Sequence, residues 1–218
     1  MSTEIEHSGR LTRFLRSSFT EKLNVLAFCF YRVKGAFYYR RIFATFGKGS
    51  VLFKPLLLNN TQYMHLGDNV TIRPGARLEA VVSDRAALPE LRIGDNVNIE
   101  QNVHIVCHSR ISIGNNVSIT GHCAIVDVTH PYEDVNDPTK IGARISKERS
   151  FVEIGEGSFL GLRSIVLPNV KIGKHCVIGA NSTVTRDIPD YCVVAGNPAR
   201  IVRFYDWDMK QWRRPVEN

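Results

Sequence analysis

The amino-acid sequence predicts an all-β protein built as a triangular solenoid, because one short period recurs along most of the chain. Aliphatic residues stand at every sixth position, as in the run Ile154, Leu160, Val166, Ile172 and Ile178. An aliphatic residue followed by Gly opens five such stretches, at positions 66, 93, 113, 154 and 172. A helix would repeat its apolar residues at i, i+3, i+4 and i+7, and a half-buried strand would alternate. A six-residue period instead indicates flat segments joined by tight corners, for which "GDN", "GNN" and "GAN" supply positive φ.

Three segments make one coil of 18 residues, as between positions 154 and 172. With a weaker opening at Phe46, the earlier spacings are 20, 27, 20 and 41 residues, or 18 plus insertions of 2, 9, 2 and 23. Insertions in a solenoid leave through corners as loops, often on the functional face. We therefore predict one solenoid domain over residues 46–203, with its longest insertion loop at 131–153.

The first 45 residues predict a basic, aromatic and helical extension. Residues 1–41 hold eight Lys or Arg against three Glu, and "FYRVKGAFYYRRIF" interleaves bases with aromatics. Two accounts stand: a helix packed on its own domain or on a neighbouring subunit, or a basic amphipathic helix lying on an anionic membrane face. Nucleic acid is not a predicted partner, because these basic residues match no known binding module.

The remaining features indicate a cytoplasmic protein, peripheral on the inner membrane face if the extension binds there. The most apolar stretch, "LNVLAFCFY", has nine residues, whereas a membrane span needs roughly 20. Five scattered cysteines without a CxxC motif indicate small buried hydrophobes in a reducing compartment. The tail at 204–218, with "FYDWDMKQW", is predicted to form a short helix against which its two tryptophans pack, stacking on a sugar being the alternative.

The repeats resemble the hexapeptide-repeat acyltransferases over roughly residues 46–203. The ending "VIGANSTVTRDIPDYCVVAGNPARIVR" looks like the terminal coil of the sugar O-acetyltransferase branch. The stretches "FGKGSVLFKP" and "FYDWDMKQW" are similar to bacterial enzymes that acetylate lipopolysaccharide or capsule. The resemblance implies a left-handed parallel β-helix and a homotrimer with active sites between subunits. It also implies acetyl transfer from acetyl-CoA, without a metal, to a hydroxyl of a saccharide in a surface polysaccharide or its precursor.

Acyl transfer to a hydroxyl needs a base, and histidine is favoured because its ordinary pKa of about 6.5 leaves it mostly neutral at pH 7. His130 closes a repeat, precedes Pro131 and opens the longest insertion. The resemblance implies that His130 is the catalytic base, since "DVTHP" matches the family's "T-x-H-P" and "D-x-x-H" patterns. The alternative is an exposed loop histidine. Asp127 either supports the His130 imidazolium or is a corner carboxylate.

Acceptor and carrier residues follow from the same resemblance. Asn102 matches an acceptor-binding asparagine of the galactoside-type branch, although asparagine is also a common corner residue, and His104 borders the predicted cleft. The family's CoA-binding stretch matches at Ala180, Thr185, Arg186, Arg200 and Arg203. Small residues at Gly179, Ala180, Ala195 and Gly196 would let the pantetheine arm approach the backbone. The alternative for Arg200 and Arg203 is a pair of solvated basic residues at a domain end.

Three other functions compete with O-acetylation. N-acetylation of an amino sugar or nucleotide sugar would use the same base and carrier. A γ-type carbonic anhydrase needs three histidines around zinc, but His104 and His122 have no third partner and Asp127 stands where it would be. A non-catalytic β-helix interaction module would have no need of both the insertion that begins at His130 and the Arg-rich terminal coil.

Overall fold

A computed structural model describes residues 14–215, in which three sheets of short strands surround one aliphatic core. The first sheet consists of β1 Thr45–Phe46, β4 Met64–Leu66, β7 Glu90–Ile93, β10 Arg110–Ile113, β13 Val152–Ile154 and β16 Val170–Ile172. The second begins with β2 Val51–Leu52, β5 Thr71–Ile72, β8 Asn98–Ile99, β11 Ser118–Ile119, β14 Phe159–Leu160 and β17 Val177–Ile178. It ends with β19 Cys192–Gly196, β20 Ala199–Asp206 and β21 Gln211–Arg213. The third consists of β3 Leu57–Asn59, β6 Arg77–Ala80, β9 His104–Cys107, β12 Ala124–Val126, β15 Ile165–Val166 and β18 Thr183–Val184.

The predicted six-residue period is confirmed by the strand register. In the first sheet the opening residues pair one above another in parallel, in the order Phe46, Leu66, Ile93, Ile113, Ile154 and Ile172. The second and third sheets carry equivalent buried columns, such as Ile72, Ile99, Ile119, Leu160 and Ile178. Burial of one such side chain contributes about 1.5–3 kcal/mol to the stability of the fold. The columns therefore stabilise this register of the coils.

The corners use asparagine in the left-handed conformation, as the sequence predicts. Asn69, Asn96 and Asn116 have φ of 56°, 61° and 58°. The glycine of each opening pair is needed for a different reason, because neighbouring coils approach each other closely at that position. A Cβ on Gly155 would lie 2.4 Å from the carbonyl carbon of Gly173, so no larger residue fits there.

Every insertion leaves the solenoid at the same corner, between the third sheet and the first. The connection there is a 3-10 turn at Thr61–Tyr63 in the first coil, and then residues 81–89, 108–109 and 127–151 in the next three coils. The following coil needs only residues 167–169. We call the three stacked segments 81–89, 108–109 and 127–151 the loop corner.

The predicted N-terminal helix is present. Helix α1 spans Phe19–Lys34, a π-helical turn follows at Gly35–Tyr39, and α2 spans Arg40–Ile42. Phe28 and Tyr31 of α1 pack on Phe53, with ring centroids 6.1 and 4.9 Å apart. None of the residues of α1 is buried. Among the described residues, no helix combines the length and the hydropathy that crossing a membrane requires.

The short C-terminal helix predicted over 204–218 is wrong for residues 204–215, which contain the end of β20, a turn at 207–210 and β21. Strand β20 pairs antiparallel with β19, and β21 pairs antiparallel with β20. The exposed edge of the second sheet offers unpaired backbone groups, and strand pairing satisfies them where a helix would not. Trp207 and Trp212 pack edge-on against Tyr205, with centroids 4.8 and 5.6 Å away, so the tryptophans stabilise this hairpin.

Four of the five cysteines are buried as predicted, whereas Cys29 is exposed on α1.

Candidate functional site

His130 lies at the root of the longest insertion, four residues after β12, and its side chain is exposed. Its Nδ1 atom lies 2.7 Å from the backbone carbonyl oxygen of Arg144. A carbonyl oxygen can only accept a hydrogen bond, so Nδ1 carries the hydrogen. In the neutral ring Nε2 is then the unprotonated nitrogen, which is the tautomer a general base needs.

Arg144 also organises the insertion that supplies this carbonyl group. Its guanidinium donates to the carbonyl oxygens of Thr139, Asp134 and Asp137, at 2.8, 3.0 and 2.6 Å. The same group lies 3.3 Å from the Asp137 carboxylate. One side chain thus closes the loop and fixes the backbone that orients His130.

A cavity of about 870 Å³ opens beside His130. Its walls are the two arms of the insertion, 129–133 and 144–148, together with Asp137 and Thr139. Small-molecule sites measure roughly 300–1,000 Å³. The cavity therefore has room for a sugar residue next to His130.

Asp127 is fully buried and binds backbone rather than His130. Its carboxyl oxygens accept the N–H groups of residues 108–110 at 2.5, 2.8 and 2.6 Å. Its own carbonyl oxygen accepts the hydroxyl of Ser150. Among the described residues no hydrogen bond joins Asp127 to His130, and this arrangement favours the corner-carboxylate account. Burial, and then the Asp127 charge, raise the pKa of the neighbouring Cys107 thiol, which therefore stays protonated.

The two predicted acceptor residues lie apart from the His130 cavity within the chain. Asn102 occupies a corner with φ of 57°, and its Oδ1 fills the space where a Cβ on Gly75 would lie. His104 is half-buried at the start of β9, whereas His130 follows the other end of the adjoining strand β12. Burial, and then the Arg77 charge, lower the pKa of His104, so this imidazole is neutral at pH 7. Neither residue lines the His130 cavity.

Strand pairing brings together most of the predicted carrier residues. Gly179 follows β17 and lies against β19, where a Cβ on Gly179 would be 3.1 Å from that of Ala195. Across the β19–β20 hairpin Ala195 pairs with Arg200 and Val193 pairs with Arg203. The remaining carrier residues adjoin this region: Gly196 ends β19, Ala180 follows Gly179, and Thr185 and Arg186 follow β18. A smooth, small-residue surface flanked by arginines fits a long phosphorylated thiol carrier.

The structure also reveals residues that sequence reasoning missed. Arg214 shares a cavity of about 660 Å³ with Arg203, because the unpredicted C-terminal hairpin brings them together. His108 is buried and touches Ser83 from another coil. The insertion lengths predicted loops at corners, but not that these loops meet at one corner or which side chains touch there.

Within residues 14–215 no group of three or more His, Cys, Asp or Glu side chains is placed to hold a metal ion.

Comparison with known proteins decides the family. The profile described as "Bacterial transferase hexapeptide (six repeats)" matches residues 151–186. The Escherichia coli K12 protein WbbJ, named as an O-acetyl transferase of lipopolysaccharide biosynthesis, is 32% identical over 167 residues, which are 73% of this chain and 81% of WbbJ. The chain belongs to the hexapeptide-repeat acyltransferases. The galactoside O-acetyltransferase of Lactococcus lactis is 38% identical over 56% of this chain and 57% of its own length.

A solved member of the same fold is AntD, an N-acyltransferase from Bacillus cereus crystallised with dTDP and 3-hydroxybutyryl-CoA. AntD superposes with a TM-score of 0.65 at 19% identity, over 78% of this chain and 88% of its own. Family membership and this likeness support the predicted left-handed sense of the β-helix. The hexapeptide-repeat chain is accordingly an acyltransferase, in the branch whose relatives are named as sugar O-acetyltransferases.

Proposed function

We propose that this protein transfers an acetyl group from acetyl-CoA to a hydroxyl of a sugar in a bacterial surface polysaccharide or its precursor. The names of WbbJ and of the galactoside O-acetyltransferase support acetyl as the group transferred and a sugar hydroxyl as its acceptor. The observation that carries the proposal is the hydrogen bond from His130 Nδ1 to the Arg144 carbonyl oxygen. It prepares Nε2 as a base beside a cavity of sugar size.

In this proposal His130 Nε2 takes the proton of the sugar hydroxyl as its oxygen attacks the acetyl carbon. A bond forms between the sugar oxygen and the acetyl carbon, and the thioester C–S bond breaks. The imidazolium then gives its proton to the departing thiolate. No proton is gained or lost overall, and His130 returns to its starting tautomer. The Arg144 carbonyl oxygen stabilises the imidazolium by continuing to accept from Nδ1. Asp127 contributes by holding the corner at residues 108–110.

The carrier would bind along Gly179, Ala180, Ala195 and Gly196, with Arg186, Arg200 and Arg203 on its phosphates and Thr185 beside them. These residues fit the CoA carrier, because any residue larger than glycine at position 179 would crowd Ala195. Asn102 and His104 would reach the acceptor from a neighbouring subunit, because they lie away from their own chain's His130. A homotrimer with shared active sites supplies that arrangement.

We also propose that helix α1 packs on a neighbouring subunit of this trimer and that the protein is cytoplasmic. The alternative for α1 is peripheral contact with the inner membrane through its basic residues.

The decisive test is His130→Ala assayed for transfer from acetyl-CoA to sugar acceptors. General-base assistance contributes roughly 10²–10⁴-fold, so we expect turnover to fall at least about 10²-fold. Acetyl-CoA binding, measured by calorimetry, should be retained. His65→Ala, which removes a histidine from β4 on another sheet, is the matched control and should keep its activity. Near-normal turnover of His130→Ala would refute the assignment, and transfer only to amino sugars would replace O- by N-acetylation.

A further inference from the structure

The loop corner encloses a second cavity, of about 380 Å³, next to the one beside His130. All three stacked segments contribute to it: Ser83 and Asp84 from the first, His108 and Ser109 from the second, and Lys147 and Arg149 from the third. Ile145 and Lys147 line both cavities. The two cavities therefore adjoin at these residues.

The interior of the second cavity is polar and preorganised. His108 is 8% exposed and Ser109 3%. His108 Nε2 lies 2.6 Å from the Ser83 hydroxyl oxygen, and its Nδ1 lies 3.3 Å from the Ser109 hydroxyl oxygen. Below them, the Asp127 carboxyl group fixes the backbone of the same corner. These contacts leave two hydroxyl groups held at the cavity wall.

The charges around this wall are unbalanced. Within residues 14–215 the side chains of Lys147 and Arg149 make no ion pair or hydrogen bond with the protein. Asp84 is the one acidic residue of the lining, and its Oδ1 already accepts the Ala86 N–H at 2.8 Å. The lining thus carries two cations without an ion-pair partner in the described chain and a single carboxylate.

We infer that the second cavity binds the phosphate or diphosphate group of the acceptor, so that the acceptor is a phosphate-linked sugar rather than a free sugar or finished polymer. This inference rests on the proposed function, because it assigns a substrate class to the same site. Lys and Arg with hydroxyl donors are the groups that bind phosphate oxygens. A neutral sugar would leave the excess positive charge of this lining without a counter-charge. Diphosphate is the chemistry shared by lipid-linked and nucleotide-linked sugars.

The test is calorimetric titration of the full-length protein with inorganic pyrophosphate. We expect Lys147→Gln/Arg149→Gln to weaken binding about tenfold or more, since each substitution removes a charge-assisted hydrogen bond to a phosphate oxygen. The titration is run with saturating CoA, which occupies the phosphate contacts proposed for Arg186, Arg200 and Arg203. The matched control is Lys48→Gln/Lys54→Gln, which removes two exposed positive charges from other corners of the β-helix and should bind pyrophosphate within about twofold of wild type. The opposite pattern, or no binding by the wild-type protein, would overturn the inference.

Competition distinguishes the two sources of diphosphate. If UDP displaces pyrophosphate at lower concentrations than farnesyl diphosphate does, a nucleotide-linked acceptor is supported. The reverse order supports a lipid-linked acceptor. Failure of the proposed base is separable from failure of this site. If His130→Ala kept its turnover while pyrophosphate binding depended on Lys147 and Arg149, the base would be refuted and the anion site would stand.

Discussion

Asp127 and His130 stand three residues apart and do different work. Their spacing alone left open a shared role, since a carboxylate near an imidazole would support its charged form. The structure instead directs the Asp127 carboxyl group inward to three backbone N–H groups. His130 points outward, and a carbonyl group of the insertion sets its tautomer. Asp127 is therefore a positioning residue for the corner that carries His108.

Replacing Asp127 by Asn should destabilise the protein by about 1–3 kcal/mol, because at least one buried N–H then faces an amide NH₂. Chemical denaturation measures this loss. Asp68→Asn is the matched control: its exposed Oδ1 accepts one N–H, from Lys48 at 2.6 Å, and the substitution should cost less than Asp127→Asn. The pH dependence of turnover should be the same in Asp127→Asn and wild type. A displaced pH profile would instead show that Asp127 supports the His130 imidazolium.

At the scale of elements, the insertion at 127–151 is an ordered loop organised by Arg144. Three carbonyl groups and one carboxylate converge on this guanidinium, which is a fork of donors that lysine cannot reproduce. The β-helix core does not depend on these contacts, because its columns are formed by other residues. The loop can therefore loosen while the solenoid stays folded.

Arg144→Lys should accordingly expose the insertion to limited proteolysis and lower kcat by about tenfold or more, as the His130 tautomer is no longer fixed. The melting temperature should change little. Lys140→Gln, an exposed position in the same loop, is the matched control and should be cleaved like the wild type. Equal cleavage of Arg144→Lys and Lys140→Gln would contradict this role.

The elements differ in how far the sequence predicted them. The columns at Leu66, Ile93 and Ile113 were predictable because a solenoid repeats one local environment, so the period alone determines which residues face inward. The C-terminal hairpin was not, since it depends on the exposed edge of β19, which is a tertiary feature. The same holds for the contact between His108 and Ser83, which joins residues 25 positions apart through two insertions. The proposed base and carrier stretch rest on local motifs, whereas the second cavity, which forms where three insertions meet, has no such motif.

On the scale of the whole molecule, α1 presents an apolar stripe that the described chain leaves uncovered. Phe19, Leu23, Leu26, Phe30 and Val33 follow spacings of four and three residues and are 75, 49, 56, 63 and 58% exposed. The average spacing of 3.5 residues is the spacing at which apolar residues repeat where two helices pack as a coiled coil. The residues that contact the β-helix, Phe28 and Tyr31, fall between the stripe positions. The stripe therefore favours packing against another subunit over a membrane.

Leu23→Ser/Leu26→Ser/Phe30→Ser should lower the melting temperature and shift the light-scattering mass from that of the proposed trimer towards monomer on dilution, because each side chain buried between subunits contributes about 1.5–3 kcal/mol to their association. The matched control, Leu56→Ser/Leu88→Ser/Ile141→Ser, changes three exposed apolar residues elsewhere and should keep the trimer mass. If the first variant also kept it and instead lost binding to anionic phosphatidylglycerol vesicles, α1 would be a membrane contact.

The stacking of every long insertion at one corner has an evolutionary consequence. Loops at 81–89, 108–109 and 127–151 can lengthen or change sequence without moving a single core column, because each begins and ends at the same corner of its coil. The proposed carrier residues belong to the last coil and the closing hairpin, outside those loops. Under the proposed function, selection can therefore change acceptor recognition through these loops while the residues proposed to bind the donor stay the same.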